Sequence, residues 1–277
     1  MDNVIIFDNS DDFEIANKLK IIISNLNKNN INFEKFCIYM TNSTNVGISK
    51  AYNLSVEKAL EFGFEFILFL DQDSYVSKHE LGKLFAKYTE LSNSIKEVGA
   101  ISFTIIENSG TLLDFLFDGR FKWNHFYYTD SFIETRDLIN AGLLIKISIF
   151  KEIGGYNESI FLDNSDREFT LRLREHGYRL FRCKDAKMFN NASKTVNSKN
   201  LIGSSRAPSR DYFIKDLIKC LPIACDVSVV DYFLIYMLII SKIFSSIFLR
   251  KNRKERYGYI TSGIKDGLKY ISRNFSK

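Results

Sequence analysis

Two carboxylates one residue apart, Asp71 and Asp73, directly follow the apolar run 66–70. Carboxylate oxygens are the hard ligands that Mg²⁺ and Mn²⁺ prefer, and a cation held by them can neutralise the phosphates of a nucleotide. Aspartate and serine are also common in turns and at helix N-caps, so an acidic turn without a ligand is the alternative interpretation. Because a triplet this short often occurs by chance, its weight depends on the residues around it.

A second acidic group lies between residues 161 and 172. Asp163 and Asp166 are three residues apart, and Glu168 and Arg172 are four apart, spacings that place each pair on one face of a helix. A carboxylate here can act as a general base that takes the proton of an attacking hydroxyl, and Asp166 is the candidate. The alternative is a first helical turn whose acidic residues complement the helix macrodipole, with Glu168 and Arg172 as an ordinary surface pair.

The elements that must position these residues alternate between short strands and helices. The run 66–70 is apolar without alternation, which predicts a strand covered on both faces, and α/β proteins place ligands at the carboxyl ends of such strands. Strands that alternate with helices of about a dozen residues predict an α/β fold with a mostly parallel sheet. The predicted strands are 4–7, 37–40, 66–70 and 98–106. The predicted helices are 13–25, a helix that segment 45–53 leads into and that ends at about 62, and 78–92.

Four segments, in consistent order, resemble the family 2 glycosyltransferases, and among these the bacterial rhamnosyltransferases of surface-polysaccharide assembly most of all. The segments are 7–10, 45–53, 70–74 and 154–169, which read FDNS, NVGISKAYN, LDQDS and GGYNESIFLDNSDREF. The resemblance runs from about residue 4 to 190 and implies a GT-A fold followed by C-terminal helices. It also implies inverting transfer of a sugar from a nucleoside diphosphate, with dTDP-rhamnose as the donor and Mg²⁺ or Mn²⁺ as the cofactor.

On the donor side, the resemblance implies that Asp8 accepts a hydrogen bond from the pyrimidine ring and that Asn45, Gly47 and Lys50 lie along the nucleotide. Gly142 matches a small residue that leaves room for the sugar. Each has a local alternative: a turn with an N-cap for Asp8, an ordinary helix start for the loop, and a tight turn before a strand for Gly142. The predicted donor-binding residues are Asp8, Asn45, Gly47, Lys50, Asp71 and Gly142.

On the acceptor side, the resemblance implies that Asp166 is the catalytic base. Glu168 matches a companion acidic position that supports the acceptor or the local structure, here together with Arg172. Asp71 and Asp73 match the metal ligands. The chemistry requires both groups, because a departing diphosphate needs positive charge beside it and the acceptor hydroxyl must lose a proton on the opposite face of the sugar.

Two features depart from the family pattern. The usual first strand, with its nucleotide contacts, is missing before Val4, so either the start of the chain has been lost or the sheet is short by one strand. Where many relatives place a histidine near the metal, the sequence has Asn190. These departures leave open a different class of function, a non-catalytic glycosyltransferase-like subunit of a polysaccharide-assembly complex.

Composition places the chain among globular proteins. Its 277 residues are 45% hydrophobic and can bury a sizeable core. No signal-peptide pattern opens the sequence, and its four cysteines lack paired metal-ligand spacing, which favours a cytoplasmic protein with reduced thiols. Residues 199–277 carry 15 Lys and Arg against six Asp and Glu, a net charge of +9, which leaves −4 for residues 1–198. We therefore predict a catalytic domain over 1–200 and a helical region over 201–277.

The C-terminal region holds an apolar segment, 232–249, followed at once by the basic run 250–256. The segment is barely long enough to span a bilayer and contains Lys242, so an interfacial helix with basic anchoring is favoured over a span. A helical hairpin packed on the catalytic domain is a nearly equal alternative. A location at the inner face of the cell membrane suits a lipid-linked oligosaccharide acceptor in O-antigen or capsule synthesis. The basic run lacks a nucleic-acid-binding module, so no nucleic-acid partner is expected.

Overall fold

The computed structural model describes residues 3–29, 37–42, 44–107, 129–190 and 207–275. The strands are β1 Val4–Asp8, β2 Cys37–Thr41, β3 Phe66–Leu68, β4 Ser74–Tyr75, β5 Val98–Glu107, β6 Phe132–Thr135, β7 Leu143–Lys146 and β8 Arg179–Asn190. The α-helices are α1 Phe13–Asn29, α2 Ile48–Glu61, α3 Lys78–Ser94, α4 Ile147–Glu152, α5 Ser165–Glu175, α6 Ile214–Val227, α7 Val229–Phe244 and α8 Arg253–Asn274. A 3₁₀-helix, Pro208–Phe213, precedes α6, and a π-helical turn, Ser245–Leu249, follows α7.

Local signals in the sequence account for where several elements begin and end. The hydroxyl of Ser77 accepts a hydrogen bond from the amide of Glu80 at 3.2 Å and so caps the start of α3. α2 stops just before Gly63, whose φ of +72° suits a glycine after a helix end. The strands and helices predicted for the first 107 residues are present, although β3 covers only part of the predicted run 66–70.

The main sheet has the order β3-β7-β5-β8-β4, with β6 paired to β8. Within it only β5 and β8 run parallel, whereas β7 is antiparallel to β3 and β5, and β4 and β6 are antiparallel to β8. The prediction of a mostly parallel sheet is therefore wrong. The amide of Gly142, just before β7, donates to the carbonyl of Phe69, just after β3, at 2.8 Å. β7 therefore starts beside the C-terminal end of β3 and must run antiparallel to it.

Apolar cores cover both faces of this sheet. Helices α2, α4 and α5 pack on one face, and α3 packs on the other. Successive residues of β7 alternate between the cores: Leu143 and Ile145 belong to the first and Leu144 to the second, and all three are fully buried. Burial on both sides explains why the strands are apolar without alternation.

Strands β1 and β2 form a separate parallel pair. Ile5 of β1 packs against the core that α2 covers, so the pair joins the same hydrophobic interior as the main sheet. In the described ranges, no strand pairs with the free edge of β1 or with the edge of β3 opposite β7.

The C-terminal helices pack directly on α5. A third core joins α6, α7 and α8 and includes Leu171 of α5. Asp231, at the start of α7, accepts hydrogen bonds from the two terminal nitrogens of Arg174 at 2.7 and 2.9 Å and from Arg136 at 2.8 Å. Burial raises the pKa of Asp231, but the bonds and charge of Arg174 outweigh burial and hold that pKa below its usual value. The described helical residues, 207–275, are thus tied to α5.

Candidate active site

Asp71 and Asp73 lie in the turn between β3 and β4. The carbonyl of Asp71 accepts a hydrogen bond from the amide of Ser74 at 3.0 Å, which closes the turn. β4 then pairs with the end of β8, where Ser74 lies opposite Asn190. The backbone of Asn190 is therefore beside the acidic turn, as its match to the family's histidine position implies.

Among the described residues, no basic side chain is paired with the two carboxylates of this turn. Burial raises the pKa of Asp71, a hydrogen bond from the hydroxyl of Tyr52 at 3.3 Å lowers it, and the charge of Asp73 raises it again, so the net shift is upward. Within the part of the chain that the structure describes, neither aspartate forms an ion pair with a lysine or arginine. A cation would supply the missing counter-charge.

The donor set fits a hard divalent cation bound together with a phosphate ligand. Mg²⁺ in such sites is held by one or two carboxylates plus substrate phosphates and water. Among the described residues, no group of three or more His, Cys, Asp and Glu side chains could hold a metal. Asp71 and Asp73 would therefore supply two oxygen ligands, and the diphosphate and water would supply the others.

Asp166 is the second residue of α5, and a buried chain of polar side chains positions the helix start. The hydroxyl of Tyr156 donates to Oδ1 of Asn140 at 2.6 Å, and Nδ2 of Asn140 donates to the hydroxyl of Ser165 at 3.2 Å. Asn164, just before the helix, adopts the left-handed conformation with φ +69°. These contacts tie the first turn of α5 to the segment that leads into β7.

Burial raises the pKa of Asp166. The charge of Arg167 opposes this shift, as does the Arg167 amide, which donates to Oδ1 of Asp166 at 2.8 Å. Arg167 is itself paired with Asp137 at 3.1 Å. Proton acceptance is most efficient when the pKa of the base approaches the working pH, so a raised pKa suits a general base.

Two tyrosines lie near both Asp71 and Asp166. The ring of Tyr52, from α2, lies 5.3 Å from the ring of Tyr156 between centroids. Burial raises the pKa of both tyrosines well above the ordinary value, and the charges of Asp71 and Asp166 raise it further in each case. Both carboxylates therefore lie near the same pair of rings. Sequence reasoning missed Tyr52, for which the only signal was its place in the segment 45–53.

On the donor side, two loops hold each other. Oδ1 of Asn9, after β1, accepts the amide of Val46 at 2.8 Å, and Asp11 accepts the amide of Asn45. The side chain of Asn45 in turn accepts the amide of Gly47 at 3.0 Å. The predicted nucleotide loop is thus ordered by contacts within the protein.

Asp8 ends β1 and is buried. Its Oδ2 accepts a hydrogen bond from the hydroxyl of Tyr39 at 2.7 Å, and its Oδ1 accepts the amide and hydroxyl of Ser10 at 3.0 and 2.7 Å. Burial raises the pKa of Asp8, but these bonds outweigh it and leave that pKa below the usual value. These hydrogen bonds explain why an aspartate occupies the turn after β1. That Asp8 also accepts a hydrogen bond from the donor base stays a prediction.

Lys50 and Gly142 have structural surroundings of their own. Lys50 is exposed, and its Nζ lies 3.9 Å from a carboxylate oxygen of Glu158. Gly142 has φ +88°, and a Cβ there would lie 3.0 Å from Phe103 and 3.1 Å from Met188. Close packing against Phe103 and Met188 is therefore a sufficient reason for a glycine at this position, and the predicted room for a sugar is not needed to explain it.

Glu168 and Arg172 form a buried clamp. Arg172 donates to both carboxylate oxygens of Glu168 at 2.8 Å, and Glu168 is only 2% exposed, so the alternative of a surface pair is wrong. Arg172 also donates to the carbonyls of Ile153 and Gly155, both at 2.6 Å. The clamp holds the segment before α5 against the helix, a geometry that suits local support.

Gly47, in the predicted nucleotide loop, provides a test of how closely this loop packs against Phe161. Its φ is +83°, and a Cβ would lie 2.7 Å from the carbonyl oxygen of Phe161. We expect Gly47→Ala to destabilise the protein by about 2–4 kcal/mol, since backbone strain adds to a clash with rigid backbone. Gly63→Ala is the control for a positive φ without a steric contact, because Gly63 has a φ of +72° with no atom within 4 Å and should cost only about 1–2 kcal/mol. Urea unfolding measures both, and equal losses would contradict the contact with Phe161.

No family model matches the chain. Over 146 residues, the chain is 28% identical to the dTDP-rhamnosyl transferase RfbF of Shigella flexneri, a match that covers 52% of this chain and 48% of that protein. The chain thus spans about half the length of the curated relative that it matches.

Solved structures share the architecture over nearly the whole chain. TarS of S. aureus is 13% identical with a TM-score of 0.54, and the match covers 98% of this chain and 73% of that one. The mannosyltransferase PcManGT of Pyrobaculum calidifontis, in complex with GDP-Man and Mn²⁺, is 11% identical with a TM-score of 0.53, covering 99% and 67%. GalNAc-T7 with UDP, GalNAc and Mn²⁺ is 11% identical with a TM-score of 0.53, covering 99% and 52%. These structures show that the chain has the fold of GT-A glycosyltransferases, and over half of its length its sequence is similar to that of a dTDP-rhamnosyl transferase.

Proposed function

We propose that the protein is an inverting glycosyltransferase that moves rhamnose from dTDP-rhamnose to a lipid-linked oligosaccharide in O-antigen or capsule synthesis. The observation that carries the proposal is the approach of Asp71 and Asp166 to the same two tyrosines, Tyr52 and Tyr156. The choice of donor rests on the relative named as a dTDP-rhamnosyl transferase.

The proposed reaction needs a base and an electrostatic stabiliser in one cleft. A bond forms between the acceptor oxygen and the anomeric carbon while the bond from that carbon to the diphosphate breaks. Asp166 takes the proton of the acceptor hydroxyl, and burial makes it a stronger base than an exposed aspartate. Asp71 and Asp73 would hold Mg²⁺ or Mn²⁺, which supplies positive charge beside the leaving diphosphate. Two of the structural neighbours contain Mn²⁺.

Tyr52 supports this use of Asp71, because its hydroxyl favours the charged carboxylate. In Tyr52→Phe the pKa of Asp71 rises further and protons compete better with the cation. We expect the affinity for dTDP with Mn²⁺ to fall by up to about fivefold at the lower pH, the effect of one hydrogen bond of about 1 kcal/mol, and the loss to shrink as the pH rises. Calorimetry at pH 6 and pH 8 measures it. Tyr212→Phe, which removes a 2.5 Å hydrogen bond to Asp266 elsewhere, is the matched control.

The proposed place of action is the cytoplasmic face of the cell membrane, where a lipid-linked acceptor is accessible. The apolar outer side of α7 and the basic residues that follow it support this location.

A non-catalytic subunit is the second candidate. It is favoured by the unpaired edges of β1 and β3 among the described residues, since the strand that the family places first carries nucleotide contacts.

Nucleotide release distinguishes the two candidates. The purified chain is incubated with dTDP-rhamnose, UDP-glucose or GDP-mannose, with Mn²⁺, Mg²⁺ or EDTA, and the released diphosphate is measured. We expect release from dTDP-rhamnose at least about tenfold faster than from the others, and only with metal. Faster release from another donor would overturn the choice of donor. The absence of release from every donor, with or without acceptor lipid, would favour the non-catalytic subunit.

A further inference from the structure

The outer side of α7 is apolar and exposed. Its inner side packs on α6 and α8 through Ile235 and Ile239. On the outer side, large apolar residues recur every three or four positions and so form one stripe along the helix and the π-helical turn after it. This α7 apolar stripe consists of Val229, Phe233, Tyr236, Met237, Ile240, Phe244 and Phe248. Single exposed apolar residues are normal on a protein surface, but a continuous row of this length marks an interaction site.

The polar residues of the same segment are partly or fully buried. Asp231 is held by arginines, Ser246 is fully buried, and the hydroxyl of Ser245 donates to the carbonyl of Lys242 at 3.1 Å. Ser241 and Lys242 are half-buried. These polar side chains therefore lie against the protein, and apolar side chains face the surroundings.

By length and composition Val229–Phe248 could cross a membrane, and 22% of its most apolar window is buried in the protein. Its neighbours argue against a span. α6 and α8 pack along α7, and α8 exposes Lys265, Asp266 and Lys269, which would have to enter the hydrocarbon with it. A helix that lies in the plane of the interface keeps these charges in water.

Basic residues continue from the end of the stripe. Lys251, Arg253 and Lys254 are exposed, whereas Arg250 lies 3.5 Å from Asp211. Exposed cations beside an apolar stripe complement a surface that is anionic outside and apolar beneath, which describes a bilayer with acidic headgroups. A second copy of the chain would present the same positive charges and offers no such complementarity.

We propose that the α7 apolar stripe docks the protein on one face of an anionic lipid bilayer, with Lys251, Arg253 and Lys254 against the headgroups. The docking deepens the proposed place of action and does not depend on the donor sugar. Because Asp231 binds Arg174 of α5, the docked helix is joined to the helix that carries Asp166. Docking therefore sets the position of the site relative to a lipid-linked acceptor.

Vesicle flotation of the full chain tests the proposal. We expect binding to vesicles of phosphatidylcholine and phosphatidylglycerol in equal parts at least about tenfold stronger than to phosphatidylcholine alone, and weaker binding as salt is raised. The double variant Phe233→Glu and Phe244→Glu should lose at least about tenfold in binding. Phe62→Glu is the matched control, because Phe62 and Phe244 are both 53% exposed and Phe62 lies outside the stripe. Lys251→Gln with Lys254→Gln should remove most of the preference for phosphatidylglycerol.

Four results would overturn the docking. Two concern flotation: the wild type does not float with vesicles, or Phe62→Glu loses as much binding as the double variant Phe233→Glu and Phe244→Glu, here called the stripe variant. The other two are that the bound protein resists alkaline extraction as a membrane-spanning protein does, or that the wild type binds no vesicles and forms a dimer that the stripe substitutions dissociate. Unchanged thermal unfolding of the stripe variant confirms that its loss is not one of folding. Donor hydrolysis in solution is measured on the same samples. Flotation without hydrolysis would count against the proposed function and leave the docking intact, and hydrolysis without flotation would do the reverse.

Discussion

Replacement of Asp166 by asparagine is expected to lower the rate of sugar transfer by about 10²–10⁴-fold, the contribution typical of a positioned general base. Asparagine keeps the shape of the side chain and can still accept the amide of Arg167, but it cannot take the acceptor's proton. Donor affinity should be unchanged, because Asp71 and Asp73 remain in place. Transfer at saturating donor and calorimetry with dTDP check the two statements separately.

The same substitution is expected to stabilise the protein at neutral pH by about 0.5–2 kcal/mol. Burial raises the pKa of Asp166 in the folded chain. The contribution of this carboxyl group to folding stability is therefore fully present below its unfolded pKa of about 3.9 and is lost as the pH rises through its folded pKa. Asparagine never ionises and avoids that loss. Thermal unfolding should show a higher midpoint for Asp166→Asn at pH 7, and the gain should shrink at pH 4.

Asp163→Asn is the control for both measurements. Asp163 lies three residues before Asp166 and pairs with Arg210 instead of facing the tyrosines. This variant should keep transfer activity and show no gain in stability at pH 7. Full transfer by Asp166→Asn would show that another group is the base, and the lack of a stability gain would show that the carboxylate is well solvated.

Replacement of Asp73 by alanine is expected to lower the affinity for dTDP in the presence of Mn²⁺ by about 100-fold, equivalent to about 2.7 kcal/mol. The variant removes one of two carboxylate ligands, and the described residues around the turn offer no third acidic, histidine or cysteine ligand to replace it. Without metal, the affinity should be the same in the variant and the wild type or slightly higher in the variant, because one negative charge near the phosphates is gone.

Calorimetry with dTDP, with Mn²⁺ and with EDTA, separates these effects. Asp226→Ala, at an exposed position of α6, controls for loss of a negative charge elsewhere. If Asp73→Ala bound dTDP with Mn²⁺ as tightly as the wild type, the acidic turn would not be the metal site. Loss of the metal-free affinity as well would point to a folding defect.

The two central carboxylates share a physical feature. Burial raises the pKa of Asp71 and of Asp166, so ionising either carboxyl group costs folding stability. Natural proteins keep such groups mainly where function requires them, which makes the pair a stronger indicator of a site than either motif alone. The clamp of Glu168 and Arg172 differs, because each of its charges has a partner within hydrogen-bonding distance.

Much of the local structure was predictable from the sequence. Apolar runs, the cap at Ser77 and the stop at Gly63 act on neighbouring residues, so the first strands and helices could be placed before any tertiary contact was known. For the same reason, Asp71 and Asp73 could be assigned to a strand end and Asp166 to a helix start.

Other features depend on contacts between residues distant in sequence. The antiparallel course of β7 follows from where the chain re-enters the sheet beside Phe69, which no local pattern reveals. The approach of Tyr52 to Asp71, the burial of Glu168 and the inward position of the polar residues after Asp231 each arise from packing between separate elements.

The sequence by itself determined which residues are chemically competent and on which elements they lie, because residue type and short-range periodicity are local properties. Only the tertiary structure decided that Asp71 and Asp166 lie near the same two tyrosines and that the apolar side of α7 faces outward. Both outcomes depend on which surfaces are buried against each other, and burial is a property of the whole fold.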